Sequence, residues 1–240
     1  MAARPRTLVA WSSGKDSAWA LHELRRQGEV EVVGLLTTVT AAYERVSMHA
    51  VREALLEEQA ASAGLPLVKV RIPAVCSNEQ YEQAMGEAVR DARARGVTQV
   101  AFGDLFLEDV RAYRERQLAG SGLEPVFPLW GRPTAELAGE LIDAGVDARV
   151  TCVDPRVLPR ELAGARFDRG LLAALARAGA DPCGERGEFH TFVCAGPMLS
   201  RPIEVRLGEV VERDGFVFAD LLPGARAVAE GPARARAGAA

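Results

Sequence analysis

Apolar residues recur along the first half of the chain in two alternating patterns. Short runs rich in β-branched residues, each typical of a buried strand, lie at 7–11, 31–38, 67–72 and 97–103. Between these runs apolar residues recur at helical spacing, as Ala18, Leu21 and Leu24 do after the first run. Because the connections are short, this βαβαβαβ order predicts right-handed crossovers and an α/β fold, with a doubly wound, mostly parallel, Rossmann-like sheet.

Capping signals mark the helix boundaries. Gly28 lies where a C′ glycine would end the first helix, and Gly64 ends a second helix predicted from about residue 48 to 63. Ser77 and Gln80 have the spacing of a capping box, which predicts that a third helix begins directly after Ser77.

Beyond about residue 120 the alternation weakens. Strand or helix patterns that either extend the sheet or form a second lobe lie at 126–130, 134–144, 148–153 and 170–178. The glycine-containing stretch 181–190 predicts a loop, and Asp214-Gly215 predicts a two-residue hairpin turn. We therefore expect a domain over 1–122, a smaller C-terminal α+β lobe over 123–222, and a disordered tail over 223–240, which contains no aromatic residue.

The composition is that of an ordinary globular protein, with 48% hydrophobic residues, 26% charged residues and a formal net charge of −4. These values exclude a disordered or collagen-like chain. The acidic balance disfavours nucleic acid as a partner, although it leaves room for a local basic patch. The four cysteines form no CxxC pair, and neither a secretory signal nor an apolar run long enough to span a membrane is present. We expect a cytoplasmic protein with no membrane partner.

The segment Ser12-Ser13-Gly14-Lys15-Asp16-Ser17 follows the first strand, where open α/β sheets place their ligands. Small residues, serine hydroxyls and a helix N-terminus favour an anion, and Lys15 adds a full positive charge that suits a phosphate. The alternative is a serine-rich turn that only caps the helix. The segment is neither a Walker A loop nor a GxGxxG fingerprint, which disfavours P-loop kinases and NAD enzymes.

This segment resembles the S-G-G-x-D-S signature of the PP-loop, or N-type, ATP pyrophosphatases, with Ser13 in place of the second glycine. A side chain at this position requires a backbone conformation that tolerates it. Further segments at 101–104, 128–131, 151–154 and 181–191 extend the resemblance, in the same order along the chain, to the diphthine-ammonia ligase family over residues 7 to 222. The resemblance implies that residues 1–122 form a PP-loop ATP-binding domain and that 123–222 form the substrate-side lobe.

The resemblance and the positions of the strand ends together assign ATP and Mg²⁺ to the first domain. The residues expected to bind ATP are Ser12, Ser13, Gly14, Lys15, Asp16, Ser17, Thr37, Gly103 and Asp104. Lys15 and Asp104 are expected to be catalytic, and Asp104 is the expected Mg²⁺ ligand. Alternatively, Asp104 orders the loop or caps a helix. Thr37 and Thr38 end the second strand, where they are placed to line an adenosine pocket, although threonine is ordinary in a strand.

The second-lobe motif of the family resembles E-N-G-E-[FY]-x-T, and Arg186 replaces its asparagine here. The residues that the resemblance assigns to the acceptor and to ammonia are Glu185, Gly187, Glu188, His190 and Thr191, with Glu188 catalytic. The alternative is a surface turn with solvated glutamates. The spacing of Cys183, His190 and Cys194 is unlike that of paired zinc ligands, and His49 is a further, weaker candidate.

The expected function is therefore that of an AMP- and pyrophosphate-forming ligase, which adenylates a carboxylate and amidates it with ammonia. Its expected partners are a small-molecule nucleotide, ammonia, and a carboxylate acceptor that is either a small molecule or a protein side chain. Two alternatives stay open, a PP-loop enzyme that modifies RNA and a sensor that binds ATP or AMP without turnover. The predicted hairpin edge would also permit a homodimer.

Overall fold

The computed structural model of the protein describes residues 3–40, 45–46 and 51–224. Five parallel strands in the order β4-β2-β1-β5-β6 form the first sheet, and β3 adds to β2 in antiparallel orientation. These strands are β1 (Arg6–Ala10), β2 (Glu31–Thr40), β3 (Arg45–Val46), β4 (Leu67–Ile72), β5 (Gln99–Ala101) and β6 (Glu124–Val126). The expected doubly wound, mostly parallel sheet is confirmed.

Helices cover both faces of this sheet. They are α1 (Lys15–Gln27), α2 (Glu53–Ala63), α3 (Asn78–Ala94) and α4 (Glu108–Leu118). Apolar residues of α1 and α2 belong to one core, whereas those of α3, together with Leu118 of α4, belong to a second core on the opposite face. Gly28 and Gly64 end their helices in the left-handed conformation, and the Ser77–Gln80 capping box is formed as predicted.

A separate antiparallel sheet makes up the C-terminal part, with strand order β8-β7-β10-β9. Its strands are β7 (Asp147–Val153), β8 (Phe189–Ala195), β9 (Val205–Arg213) and β10 (Phe216–Pro223), and it is accompanied by α5 (Thr134–Asp143), α6 (Arg169–Ala178) and a 3₁₀ turn at Arg160–Leu162. Asp214 and Gly215 both have positive φ, of 51° and 79°, so the predicted two-residue hairpin turn is confirmed. The core of α1 and α2 continues into this sheet.

Several features differ from the sequence-based expectation. Strand β3 was not predicted, and α2 begins at Glu53, not near residue 48. Helix α4 was not predicted, because of its eleven residues only Leu118 is buried and no apolar stripe marks it. Strand β6 lies beyond the expected boundary at residue 122, yet it pairs with β5 in the first sheet. Pro223, expected in the tail, still pairs with Val205 within the hairpin, and residues 225–240 lie outside the described part of the chain. None of the helices described combines the length and the apolar character needed to cross a bilayer.

Candidate active site

A cavity of about 470 Å³ opens at the carboxyl ends of β1 and β5. The chain leaves β1 toward β2 and β4 on one side and later adds β5 and β6 on the other, so this is the switch point where doubly wound sheets bind ligands. The polar part of the cavity lining comes mainly from the β1–α1 loop (Ser12–Ser17), the end of β2, residues 102–104 after β5, and the second-lobe loop (residues 181–188) with the start of β8 that follows it. Side chains of α3 and α4 complete the wall.

The β1–α1 loop is closed by its own serines. Ser17 Oγ donates to the Gly14 carbonyl at 3.1 Å and lies 3.2 Å from Ser12 Oγ. Ser13 is fully buried at φ 70°, and its Oγ has no hydrogen-bond partner among the described residues. A serine thus stands in a left-handed conformation that favours glycine, so the side chain there is accommodated with strain.

The N-terminus of α1 faces the cavity. Its N-cap is Gly14, which supplies no side-chain cap, and Thr191 Oγ1 of β8 accepts the Lys15 backbone N–H at 3.1 Å. Gly103 packs directly against the first turn of α1. A Cβ at this position would come within 2.8 Å of Asp16 C and 2.9 Å of Ser17 N. The absence of a side chain at Gly103 therefore lets the end of β5 pack against the first turn of the helix.

Gln59 of α2 holds the same loop from behind, a role that the sequence did not reveal. Its side chain is fully buried; Nε2 donates to the carbonyls of Ser13 at 3.0 Å and Val193 at 2.7 Å, and Oε1 accepts from Trp11 Nε1 at 3.0 Å. Val193 N also donates to the Ser13 carbonyl. Both amide protons are donated and the amide oxygen accepts one hydrogen bond, and only the tertiary structure brings these groups together.

The Lys15 side chain is buried between the two lobes. Its Nζ donates to both carboxylate oxygens of Asp16 at 2.9 Å and to the Cys183 carbonyl, and it lies 5.2 Å from the centre of the Phe189 ring. Desolvation is the largest effect on its pKa and acts to lower it. The pKa is nevertheless raised, because Asp16, with Cys183 and Glu185, outweighs this desolvation. Lys15 is therefore a permanent cation that joins the β1–α1 loop to the second-lobe loop.

Asp104 follows β5 and borders the cavity beside Arg114, whose Nε lies 3.4 Å from its Oδ2. Burial raises the pKa of Asp104, Arg114 opposes this shift, and Asp16 adds to it. No group of three or more His, Cys, Asp or Glu side chains among the described residues forms a metal site. Mg²⁺ that arrives with phosphates needs only one or two carboxylates, so Asp104 fits an ion of that kind.

Glu185 reaches from the second lobe to the loop that follows β5. Its Oε1 accepts from the backbone N–H of Leu105 at 2.7 Å, and it borders the cavity. Burial raises the pKa of Glu185 to about 7; the Leu105 N–H opposes the shift, whereas Asp16 and Asp104 increase it. A carboxyl group that titrates near neutral pH is suited to gain and lose protons in the working range of an enzyme.

Comparison with known proteins agrees with this architecture. The model of the diphthamide synthase N-terminal domain matches residues 5–125, and that of the C-terminal domain matches residues 133–219. The chain belongs to the diphthine-ammonia ligase family. It is 25% identical to the diphthine-ammonia ligase of Bos taurus in an alignment 234 positions long. This alignment covers 87% of this chain and 85% of the relative. It is 26% identical to that of Danio rerio, with 87% of this chain and 89% of the relative covered.

In this member of the diphthine-ammonia ligase family, the structure does not place Glu188 at the cavity. The sequence led us to expect a catalytic role for this residue. It is 5% exposed, and its two carboxylate oxygens accept from the backbone N–H groups of Asp181 at 3.0 Å and Arg186 at 2.9 Å. Both oxygens are thus used to shape the second-lobe loop. The geometry gives Glu188 a structural task and leaves Glu185 as the glutamate of that loop that faces the cavity.

The other expected site residues border the cavity of this family member or shape it. Gly187, His190 and Thr191 line it on the second-lobe side, and burial, with a smaller effect of Lys15, lowers the pKa of His190 to about 4. Thr37 lines it on the β2 side, and its buried Oγ1 has no partner among the described residues. His49 lies outside the described residues.

Proposed function

We propose that the protein is an ATP-dependent ligase that adenylates a carboxylate, releasing pyrophosphate, and then amidates it with ammonia, releasing AMP. The observation that carries this proposal is the open N-terminus of α1 at the switch point, packed on Gly103 and facing a cavity that Glu185 borders from the second lobe. The ligase names of the relatives support the same reaction class.

The nucleotide would occupy the cavity between the two lobes. Backbone N–H groups of the β1–α1 loop and the helix dipole favour its phosphates, and Ser12 offers a hydroxyl at the same place. The buried, unpartnered Thr37 hydroxyl lies on the β2 side, where it would meet a polar atom of the nucleoside. Bound Mg²⁺ would neutralise phosphate charge, and we assign Asp104 as its protein ligand.

The first step couples the acceptor to AMP. A carboxylate oxygen attacks the α-phosphorus, the bond from that phosphorus to the bridging oxygen breaks, and the electron pair leaves with pyrophosphate. The fixed dipoles of the loop and the permanent charge of Lys15 act where negative charge accumulates on the leaving group. Because the Lys15 ammonium is held by Asp16 and the Cys183 carbonyl, it acts on the phosphates through its field and by positioning the loop.

The second step forms the amide. The nitrogen of ammonia attacks the acyl carbon, the bond to the AMP oxygen breaks, and one proton must leave the nitrogen. We assign that proton to the carboxylate of Glu185, whose pKa of about 7 allows it to be ionised before the step and protonated after it. Glu188, held by two backbone N–H groups, keeps the loop that carries Glu185 in place.

Thiol chemistry of the kind used in RNA thiolation is poorly supported. Burial raises the pKa of Cys152, Cys183 and Cys194 to about 12, so these thiols are not nucleophiles at neutral pH. All four cysteines are free, which suits the reducing cytoplasm that we propose as the location.

Incubation with ATP, ammonium and a panel of carboxylates, with AMP and pyrophosphate as readouts, tests the proposal. We expect AMP formation that depends on both ammonium and one class of carboxylate. Lys15→Ala should abolish it, whereas Lys69→Ala should not, because Lys69 pairs with Glu53 and Glu57 outside the cavity. AMP formation that requires RNA would favour the RNA-modifying alternative, and ATP binding without AMP under any condition would favour a sensor.

A further inference from the structure

A groove of about 640 Å³ runs between α3 and α4, on the face of the sheet away from α1 and α2. Its α3 side extends from Tyr81 to Ala94, and its α4 side includes Tyr113 and Gln117. Along a helix that rises 1.5 Å per residue, the α3 side is about 20 Å long, which matches roughly six residues of an extended peptide.

The charge of the groove is opposite to that of the whole chain. Arg90, Arg93 and Arg114 line it together with a single carboxylate, that of Glu82, although the chain has a formal net charge of −4. Arg90 and Arg93 are exposed, and neither has a carboxylate partner among the described residues; Arg93 donates only to the Ser121 carbonyl, at 2.9 Å. Two guanidinium groups are thus available for bidentate binding of carboxylates.

A glycine lies in the middle of the groove wall. Gly86 is inside α3, where glycine costs about 1 kcal/mol relative to alanine. A Cβ at this position would make an ordinary van der Waals contact with Arg90, 3.5 Å from its Nη1. Tyr113, 37% exposed, provides an aromatic surface on the opposite wall.

The groove adjoins the nucleotide cavity. Both are lined by Tyr81, Met85, Val89, Arg114 and Leu118. Arg114 also pairs with Asp104, to which we assign Mg²⁺, so the wall that the two spaces share lies beside the proposed reaction centre. One end of a ligand that lies along the groove would therefore lie next to the nucleotide cavity.

We propose that the α3–α4 groove binds an acidic polypeptide segment of the acceptor, and that the carboxylate to be activated enters the nucleotide cavity past Tyr81 and Arg114. The assignment of this segment to the acceptor rests on the proposed ligase function. A polypeptide fits the length of the groove, and an acidic one complements a lining with three arginines and a single glutamate. A nucleic acid would require a larger set of phosphate contacts than three arginines beside a glutamate provide.

The test uses the full chain and a fluorescein-labelled hexaglutamate peptide, with fluorescence anisotropy at low ionic strength as the readout. The groove variant carries Arg90→Glu and Arg93→Glu. The matched control carries Arg177→Glu and Arg206→Glu, two exposed arginines of the second lobe that make the same change in net charge. Arg90→Glu alone serves as a second groove variant, because Arg93 also bonds to the Ser121 carbonyl.

We expect the groove variant to bind the peptide at least about tenfold more weakly than wild type, Arg90→Glu alone to show an intermediate loss, and the control to stay within about twofold. The proposal is overturned if the groove variant binds as tightly as wild type or if the control loses as much. It is also overturned if a thymidine hexamer or free glutamate competes better than the peptide at the same arginines. Calorimetry with ATP separates the ligase function from peptide binding in the groove. If wild type binds the peptide but not ATP, the ligase function is contradicted, whereas binding of an acidic peptide in the groove still stands.

Discussion

The role of each ionisable residue in the site depends on what surrounds its charged atoms. Glu185 and Glu188 lie three positions apart in the same loop, yet their environments differ. Glu188 accepts two backbone hydrogen bonds inside the loop, whereas Glu185 faces the cavity together with Asp16 and Asp104. The motif locates both glutamates but cannot distinguish them, since the groups that surround Glu185 are distant in sequence.

The raised pKa of Glu185 predicts a specific dependence of stability on pH. The folded state holds this proton up to about pH 7, whereas a glutamate in the unfolded chain releases it near 4.5. Stability conferred by this group is therefore present at low pH and is lost as the pH rises from about 4.5 to about 7. Glu185→Gln removes the titration, so its stability relative to wild type should increase over that interval and then stay constant. Urea unfolding at several pH values measures this difference.

A difference between Glu185→Gln and wild type that does not change with pH would contradict the raised pKa. Activity provides an independent readout. With the concentration of free ammonia held constant, amide formation by Glu185→Gln should fall by about 10² or more if Glu185 takes the proton. Glu188→Gln should instead lower stability, because an amide has one oxygen where two N–H groups require acceptors.

Ser13 offers a second prediction at this scale. Its φ of 70° and its unpartnered buried hydroxyl both cost stability in the folded state. Ser13→Gly should therefore stabilise the protein by about 1 kcal/mol, after the greater flexibility of glycine in the unfolded chain is subtracted. The melting temperature would rise by roughly 2–4 °C, as calorimetry can measure. Ser17→Gly is the matched control and should destabilise, since the Ser17 hydroxyl bonds to the Gly14 carbonyl.

At the scale of elements, some strands and helices are marked by local sequence signals, and others depend on tertiary contacts. The strand predicted at 67–72 is observed with the same bounds, and the capping box opens α3 as expected. Helix α4 has no such local signal. It is polar on most of its surface, and its Arg114 pairs with Asp104 from another element. Short β6 likewise depends on its ladder with β5.

The contact between β5 and α1 can be tested by adding one methyl group. Gly103→Ala would place a Cβ within 2.9 Å of the Asp16–Ser17 peptide, so the first turn of α1 must move away from the strand. We expect a loss of about 1–3 kcal/mol in stability and weaker binding of ATP in calorimetry. Gly139→Ala in α5 meets nothing within 4 Å and should be neutral or stabilising. Undiminished ATP affinity in Gly103→Ala would argue against the β1–α1 loop as the phosphate site.

At the scale of the whole molecule, the site belongs to both lobes. Thr191 and Val193 of β8 hold the β1–α1 loop, Lys15 reaches the Cys183 carbonyl, and Glu185 binds the loop that follows β5. The Arg52–Asp220 ion pair adds a contact between α2 and β10. A ligand in the cavity should therefore stabilise both lobes together.

ATP at about 100 times its dissociation constant is expected to add about 2.7 kcal/mol to the free energy of unfolding. For a chain of this size the melting temperature should rise by roughly 5–10 °C, and calorimetry should show one transition that shifts as a whole. Gly103→Ala should show a smaller shift at the same ATP concentration. A shift confined to one of two resolved transitions would contradict a site shared between the lobes.

The sequence by itself determined the order of most strands and helices, the caps of the first three helices, the hairpin turn and the main loops that border the cavity, but not β3 or α4. These features follow from periodicity, from glycine and serine at fixed offsets, and from motifs that are continuous in the chain. The tertiary structure decided which side chains face the cavity and which support it. Each of these roles depends on a hydrogen-bond partner elsewhere in the chain. The partner is 46 positions away for Gln59, 168 for Lys15, 80 for Glu185 and 7 for Glu188. Burial and hydrogen bonding, which set the charge and the freedom of each group, are properties of the packed molecule and not of the order of residues alone.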